Sequence, residues 1–196
     1  MKKDDPNKII KEGRLTYEDY ANLPYEEGVR YELVDGVLEL MKPSPTARHQ
    51  MISARMQFLL TQNCDEEYVI LDAPMDVILS QYEVRQPDLI MIHRSRLSII
   101  TKRGIEGIPD LVIEILSPFT IKRDRLGKLK TYEKYGIPEF WIVDSAGTYL
   151  EQYVLRGERY ELADVFTGDE PVRSDRLPCV SFTMNDILKK IPDLPE

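Results

Sequence analysis

Cysteine and histidine are scarce in this sequence of 196 residues, which contains two of each. Cys64 and Cys179 lie far apart along the chain, so we predict neither a disulfide scaffold nor a zinc site. His49 and His93 also lack the spacing of a metal-binding pair. So little cysteine is typical of a reducing compartment, and we expect a cytoplasmic protein.

Long apolar runs, a glycine-rich phosphate loop and a serine beside an obvious base are also missing. Their absence argues against a membrane-spanning helix, a P-loop nucleotide-binding protein and a serine hydrolase. The amino-terminal MKKDDPNKII is charged and no apolar stretch follows it, so we do not interpret it as a secretory signal. Basic residues are in the minority, and the net charge is −8. That balance argues against a protein that coats nucleic acid, but a nuclease with clustered metal-binding carboxylates remains compatible with it.

The remaining composition, with 42% hydrophobic and 31% charged residues, is that of an ordinary globular protein. Asp35-Gly36 and Arg156-Gly157 each separate two strand-like runs, and each predicts a hairpin. Further strand-like runs are YVILDA, MDVILS, QPDLIMIH, PDLVIEILS and EFWIVD. Helical spacing marks ARHQMISARMQFLLTQNC and TIKRDRLGKLKTYEKYG, and shorter helices are predicted in TYEDYANLP and FTMNDILKKI.

This order of elements predicts an α/β (α+β) fold, with a mixed central β-sheet flanked by helices and an additional β-hairpin. Residues 1–14 are polar and are predicted to be a flexible arm. The rest of the chain, 15–196, is predicted to be a single domain.

One charged residue interrupts the most apolar of these strands. Glu114 lies in the middle of LVIEIL, where a buried carboxylate is costly unless something pairs with it or binds it. Asp88 and Asp110 each follow a proline at the predicted start of a strand. If the two strands pair, Asp88 and Glu114 form an oxygen-rich site suited to a hard cation such as Mg²⁺. The simpler alternatives are an ion pair from Glu114 to the next helix, and turn or capping roles for the two aspartates.

The helix after this strand is rich in Lys and Arg, a pattern that usually marks a solvated helix face. Asp124, Lys128 and Tyr132 follow one another at intervals of four residues and therefore share one stripe of this helix. From that stripe Lys128 can reach back to the carboxylates. Glu32 is a second acidic residue inside a strand-like run, where it lies between Tyr31 and Leu33 in the first hairpin. A solvent-facing position is the simpler interpretation of Glu32.

Three blocks of the sequence together resemble a known family. The blocks are RYELVDGVLELMKPSPTARHQ, RQPDLIMI and PDLVIEILSPFTIKRDRLGKLKTYEKYGIPEFWIVD. They are similar to the Uma-two type family of endonuclease-like proteins, a branch of the PD-(D/E)XK nuclease superfamily. The resemblance implies a restriction-endonuclease-like sheet with metal-binding carboxylates on two adjacent strands. Leu116 stands where the superfamily has a lysine, so the resemblance implies that a lysine of the following helix has taken that role, with Lys128 as the first candidate and Lys122 as the second.

The function implied by the resemblance is that of a Mg²⁺-dependent endonuclease that hydrolyses DNA phosphodiester bonds, with Mn²⁺ as a substitute metal. The catalytic residues it implies are Glu32, Asp88, Glu114 and Lys128, of which Asp88 and Glu114 bind the metal. Residues expected to contact nucleic acid are Lys122, Arg123 and Arg125. Residues expected to support the site are His49, Gln50 and Asp124.

Superfamily members often cut DNA as pairs, and the second predicted hairpin extends beyond the core, so we predict a homodimer. The missing lysine favours an alternative function, that of a catalytically inactive nuclease-fold protein that binds nucleic acid or a protein partner.

Overall fold

The computed structural model describes residues 13–24, 27–41, 45–116, 121–144, 146 and 148–193, without the side chains of 121–124. Its helices are α1 (Tyr17–Ala21), α2 (Ala47–Cys64), α3 (Ile121–Lys134) and α4 (Met184–Leu188), with a 3-10 helix at Arg94–Ile99. Its strands are β1 (Tyr31–Val34), β2 (Val37–Leu40), β3 (Tyr68–Asp72), β4 (Val77–Ser80), β5 (Glu83–Arg85), β6 (Leu89–His93), β7 (Ile100–Thr101), β8 (Gly104–Glu106), β9 (Leu111–Leu116), β10 (Glu139–Asp144), β11 (Tyr149–Arg156), β12 (Arg159–Thr167), β13 (Pro171–Val172) and β14 (Phe182–Thr183). None of the helices within these ranges is long and apolar enough to cross a membrane.

The strands form two six-stranded sheets and one short pair, β13–β14. The central sheet has the order β12-β11-β10-β9-β6-β3, and the amino-terminal sheet has the order β2-β1-β5-β4-β8-β7. The central sheet is mixed, because β9 and β10 run parallel whereas β6 pairs with β9 in the antiparallel sense. The predicted mixed sheet with flanking helices is therefore confirmed. The second sheet was not predicted, because β5, β7 and β8 are only two or three residues long and carry no readable periodicity.

Both predicted hairpins are present. In the first, Val34 pairs with Val37 across Asp35 and Gly36, whose φ angles of 54° and 83° are those of a tight two-residue turn. A side chain at Gly36 would also collide with Arg14, which donates a hydrogen bond to the Asp35 carbonyl and pairs with its carboxylate. Arg14 is thus tied to the hairpin, whereas residues 1–12 of the predicted arm lie outside the described part of the chain.

The two faces of β9 point into different parts of the core. Leu111, Ile113 and Ile115 pack in one cluster with residues of α2 and α4. Val112 and Leu116 pack in another with Tyr132 of α3. By strand alternation Glu114 belongs to this second face, so it is enclosed between the central sheet and α3.

The two cysteines form one disulfide, which the prediction of no disulfide scaffold did not anticipate. Cys64 at the end of α2 is bonded to Cys179, with 5.2 Å between the Cα atoms and 115 positions between the residues. Asn63 donates a hydrogen bond of 2.7 Å to the Ser181 carbonyl beside this link. Packing of α2 against the carboxyl-terminal segment brings the two residues together, and their distance along the chain gave no sign of it.

Candidate active site

Glu114 is 2% exposed and has partners for both carboxylate oxygens on α3. Lys128 Nζ donates to Oε2 at 2.6 Å, and the Tyr132 hydroxyl donates to Oε1 at 2.7 Å. The stripe predicted for α3 thus delivers both donors to one carboxylate. These contacts explain why a carboxylate is tolerated inside β9. The ion pair agrees with the proposed catalytic lysine and equally with the simpler alternative of a structural pair.

Asp88 lies beside Glu114, directly before the neighbouring strand β6. Leu89 of β6 pairs with Ile113 of β9 in the antiparallel sense, so one further step in this register places Asp88 opposite Glu114. Asp88 Oδ2 accepts a hydrogen bond of 2.7 Å from the Ile115 backbone N–H. It also lies 3.2 Å from Nε2 of His49, in the first turn of α2. Asp110, by contrast, accepts from the His93 backbone and pairs with Arg96, which is the structural role that the simpler alternative assigned to it.

Glu32 is also buried, so the interpretation as a solvent-facing residue is wrong. Its Oε2 pairs with Arg85 Nη1 at 3.1 Å, and its Oε1 accepts from the Gln86 backbone N–H at 2.9 Å. Arg85 also pairs with Glu83 at 2.8 Å and donates to Thr131 of α3 at 3.0 Å. Arg85 therefore joins the amino-terminal sheet to the same helix that covers Glu114.

The electrostatics of this cluster depend on burial and on its surplus of carboxylates. Burial raises the pKa of Glu114 to about 7; Lys128 opposes this shift, while Asp88 and Glu32 add to it. Burial acts against the charge of Lys128 as well, but Glu114, Glu32 and Asp88 keep its pKa above the ordinary value. For Glu32, the Lys128 and Arg85 charges outweigh burial and hold its pKa below the usual range.

The residues present fit a divalent cation by donor chemistry. Mg²⁺ commonly binds through one or two carboxylates and keeps several waters or substrate phosphates, and Asp88 and Glu114 supply the two carboxylates. Within the described ranges, no three His, Cys, Asp or Glu side chains form a fuller metal cluster. The cluster also carries an excess of negative charge, because Arg85, Lys128 and, when protonated, His49 face the four carboxylates of Glu32, Glu83, Asp88 and Glu114. A bound cation would offset that excess.

Two buried polar atoms beside the carboxylates have no hydrogen-bond partner in the described structure: His49 Nδ1 and Gln86 Oε1. The His49 ring is held against Asp88, whose hydrogen bond and charge raise the His49 pKa even though burial lowers it. Gln86 Nε2 donates to Asp76 at 2.8 Å, and the Gln86 backbone N–H donates to Glu32. Both atoms lie where a water or a substrate group would have a partner to bind.

The other residues expected at the site differ in how close the structure brings them. Arg125 extends from α3 to Glu151 and Tyr153 of β11 and does not contact Glu114 or Asp88. Gln50 is exposed in the first turn of α2. The side chains of Lys122, Arg123 and Asp124 lie outside the described part of the structure.

The sequence analysis missed three members of this cluster, Glu83, Arg85 and Gln86, and gave Tyr132 no role. A signal for Arg85, Gln86 and Tyr132 was available. Arg85-Gln86 directly precedes Pro87-Asp88, and Tyr132 occupies the helix stripe that carries Lys128. What the sequence could not show is that β5 pairs with β1, which brings Arg85 to Glu32.

A mixed sheet with carboxylates on adjacent strands and a lysine from the next helix is the arrangement of a nuclease-like α+β fold. Comparison of the sequence with protein families identifies the group. Residues 17–185 match the family described as "Uma2: Putative restriction endonuclease", and the chain belongs to this family. The resemblance predicted from the sequence is therefore confirmed.

A solved structure supports the fold. The crystal structure of a putative nuclease belonging to DUF820 from Anabaena variabilis ATCC 29413 superposes with a TM-score of 0.72 at 19% sequence identity. The match covers 89% of this chain and 98% of that chain. No curated protein matches the sequence.

Proposed function

We propose that this protein is a divalent-metal-dependent endonuclease that hydrolyses DNA phosphodiester bonds. The observation that carries the proposal is that Asp88, directly before β6, lies beside Glu114 of β9, with Lys128 Nζ 2.6 Å from Glu114. Family membership and the fold of the nuclease neighbour support the reaction class.

In this proposal Asp88 and Glu114 hold Mg²⁺, or Mn²⁺ in its place, and the Ile115 carbonyl assists. The bound ion would polarise the scissile phosphoryl group and lower the pKa of a water. Lys128 supplies a positive charge for the phosphate and for the attacking water. It replaces the superfamily lysine, because Leu116 is packed in the apolar cluster around Tyr132.

The remaining residues of the cluster hold these groups in place. The Tyr132 hydroxyl fixes the orientation of the Glu114 carboxylate, and the Ile115 N–H and His49 fix that of Asp88. Glu32 adds negative charge near Lys128, which keeps Lys128 protonated. We propose Lys122, Arg123 and Arg125 as phosphate contacts, with Gln50 and Asp124 in support.

A homodimer in a cytoplasmic location completes the proposal. In that location the Cys64–Cys179 disulfide would be an exception, because cytosolic thiols are kept reduced. The β11–β12 hairpin ends the central sheet with an exposed edge strand, which offers a surface to a second copy. Light scattering at micromolar concentration measures the association, and a monomeric mass would contradict it.

A second candidate function is that of a catalytically inactive relative that binds nucleic acid or a protein. The observation that favours it is that Lys128 and Tyr132 already satisfy both oxygens of Glu114. Titration calorimetry with Mn²⁺ separates the two functions. The nuclease binds the ion and loses binding in Asp88→Asn, whereas an inactive relative shows no specific binding.

Cleavage of supercoiled plasmid DNA with Mg²⁺, with Mn²⁺ and with EDTA tests the proposed reaction. Asp110→Asn is a matched control for Asp88→Asn, because both aspartates follow a proline at a strand start and only Asp88 borders Glu114. We expect metal-dependent cleavage that Asp88→Asn abolishes and Asp110→Asn retains. Metal-independent cleavage, or full activity in Asp88→Asn, would show that the site is wrongly assigned.

A further inference from the structure

A second acid–cation pair lies next to the first on the same face of the central sheet. Arg125 Nη2 of α3 lies 2.7 Å from Glu151 Oε2 of β11 and donates to the Tyr153 hydroxyl at 2.6 Å. The Tyr153 hydroxyl in turn donates to Glu151 Oε2 at 2.9 Å. Three side chains from two elements thus form a closed triangle of two hydrogen bonds and one ion pair.

Strand register fixes the relation of this triangle to the candidate active site. Ile142 of β10 pairs with Glu114 on one side and with Glu151 on the other, so all three point to one face of the sheet. Two strand spacings separate the acids, about 10 Å. Arg125 precedes Lys128 by three positions on α3 and therefore lies on the same side of the helix. One helix face thus places two cations over two carboxylates.

The two pairs differ in exposure. Lys128 is 18% exposed over a Glu114 that is 2% exposed, whereas Arg125 is 31% exposed over a Glu151 that is 10% exposed. The contacts that Arg125 makes within the described residues all use Nη2. A guanidinium has N–H donors on all three of its nitrogens, so Nε and Nη1 remain available in this part of the structure for a ligand.

Stability alone explains the Arg125–Glu151 pair poorly. A partly exposed ion pair contributes little, yet Glu151 has lost most of its contact with water inside a strand. The arrangement does accomplish one thing well. It holds a long, flexible arginine in a single orientation, and a guanidinium held in this way binds phosphate oxygens at a lower entropy cost.

We infer that Glu151 and Tyr153 are positioning residues that present Arg125 as a phosphate-binding arm at the rim of the active site. The ligand is the phosphodiester backbone of DNA, and in this respect the inference rests on the proposed function. Arg125 contacts a phosphate beside the one that is cleaved, while Glu151 and Tyr153 act only through Arg125.

Fluorescence anisotropy of a labelled DNA duplex in EDTA tests the inference without requiring cleavage. Arg125→Ala should weaken binding about tenfold, as expected for loss of one charge-assisted contact. It should also reduce the slope of log K against log salt concentration by about 1.

The sign of the Glu151 effect is the sharper test. Removal of a negative charge would by itself strengthen binding to DNA. We expect Glu151→Ala to weaken it severalfold, because Arg125 loses its orientation, and Tyr153→Phe to weaken it without any change of charge. In the Arg125→Ala background Tyr153→Phe should have no further effect, since a residue that acts through Arg125 is not additive with it. Glu151→Ala should not weaken binding further in that background, because only the favourable loss of its negative charge remains. Arg125→Lys should not restore affinity, because it keeps the charge and loses the planar fork.

Arg96→Ala is the matched control. Arg96 and Asp110 form an ion pair that has the same 2.7 Å length as the Arg125–Glu151 pair and is also partly exposed. Asp110 directly precedes β9, at the end of the strand away from Glu114. This variant loses the same charge as Arg125→Ala and should bind DNA with nearly wild-type affinity. Thermal melting of each variant verifies folding, and Glu151→Gln replaces Glu151→Ala if the latter does not fold.

The outcomes separate this inference from the proposed function. If the wild-type protein binds DNA and Glu151→Ala binds as well or better, the positioning role is wrong and the nuclease proposal stands. An equal loss in Arg96→Ala, or a further loss from Glu151→Ala in the Arg125→Ala background, also overturns it. If the wild-type protein binds no DNA, both the proposal that DNA is the substrate and this inference are wrong.

Discussion

Replacement of Lys128 by methionine tests the physical account of the buried pair. The side chain keeps much of its length and loses the charge that faces Glu114 at 2.6 Å. In the wild-type protein the pKa of Glu114 is about 7, above its ordinary value of 4.5. A carboxyl whose folded pKa is raised costs stability as pH increases between the two values, here about 3 kcal/mol in all. Above pH 7 the wild-type cost is constant, because Glu114 is ionised and paired.

Without Lys128 the Glu114 pKa must rise further, because the cation that opposed the shift is gone. The folded variant then retains the Glu114 proton above pH 7 while the unfolded chain does not. Its stability relative to wild type therefore falls by about 1.4 kcal/mol for each pH unit between 7 and the Glu114 pKa of the variant. The deficit should be small at pH 6 and should grow to at most about 3 kcal/mol at pH 9, near the lower end of the usual cost of breaking a buried ion pair.

Urea unfolding in EDTA, followed by fluorescence of the single, fully buried Trp141, measures this difference. Lys134→Met is the control, since it removes an exposed cation from the same helix and should change stability by less than about 0.5 kcal/mol. Addition of Glu114→Gln to Lys128→Met should remove the pH dependence. A deficit of equal size at pH 6 and pH 9, or no deficit at either, would refute the reasoning.

Three further predictions concern the same site and the disulfide. Lys128→Ala should slow single-turnover DNA cleavage with Mn²⁺ by about 10²–10³-fold, as loss of a charge-stabilising donor does, and Lys122→Ala should have a smaller effect. Full activity in both variants would show that no lysine of this helix has taken the catalytic role. Asp88→Asn should weaken Mn²⁺ binding by at least about tenfold in titration calorimetry, and unchanged affinity would show that the ion binds elsewhere. Reduction of the Cys64–Cys179 link should lower the free energy of unfolding by about 4–5 kcal/mol, because the link closes a loop of more than 100 residues; identical unfolding curves with and without a reductant would contradict this.

Most helices and strands were predicted from short sequence patterns, because neighbouring residues determine caps, turns and strand periodicity. Thr16 and Asp19 form a capping box at the helix predicted in TYEDYANLP, and Asp35-Gly36 has the turn geometry that this dipeptide favours. The long apolar runs became central strands, since only burial on both faces explains such runs. Short edge elements such as β7 and β8 contain too few residues to show a period.

Contacts within the site were predictable where the spacing of residues within one helix or strand determines them. The Lys128–Glu114 contact was predicted, because Lys128 lies on the stripe of α3, the helix that follows β9 in the chain. The pairing of Arg85 with Glu32 depends on the register of β5 against β1, which no spacing reveals. The Cys64–Cys179 bond, with 115 positions between its ends, depends on the whole fold in the same way.

The central claim, that Asp88 and Glu114 hold a catalytic metal, is tested most directly by crystals grown with Mn²⁺ and an anomalous difference map. The account predicts one peak within about 2.0–2.6 Å of a carboxylate oxygen of each residue, with Lys128 displaced from Glu114 Oε2 or sharing it. A map without a peak between these carboxylates, with the Lys128–Glu114 pair intact at 2.6 Å, would contradict the claim.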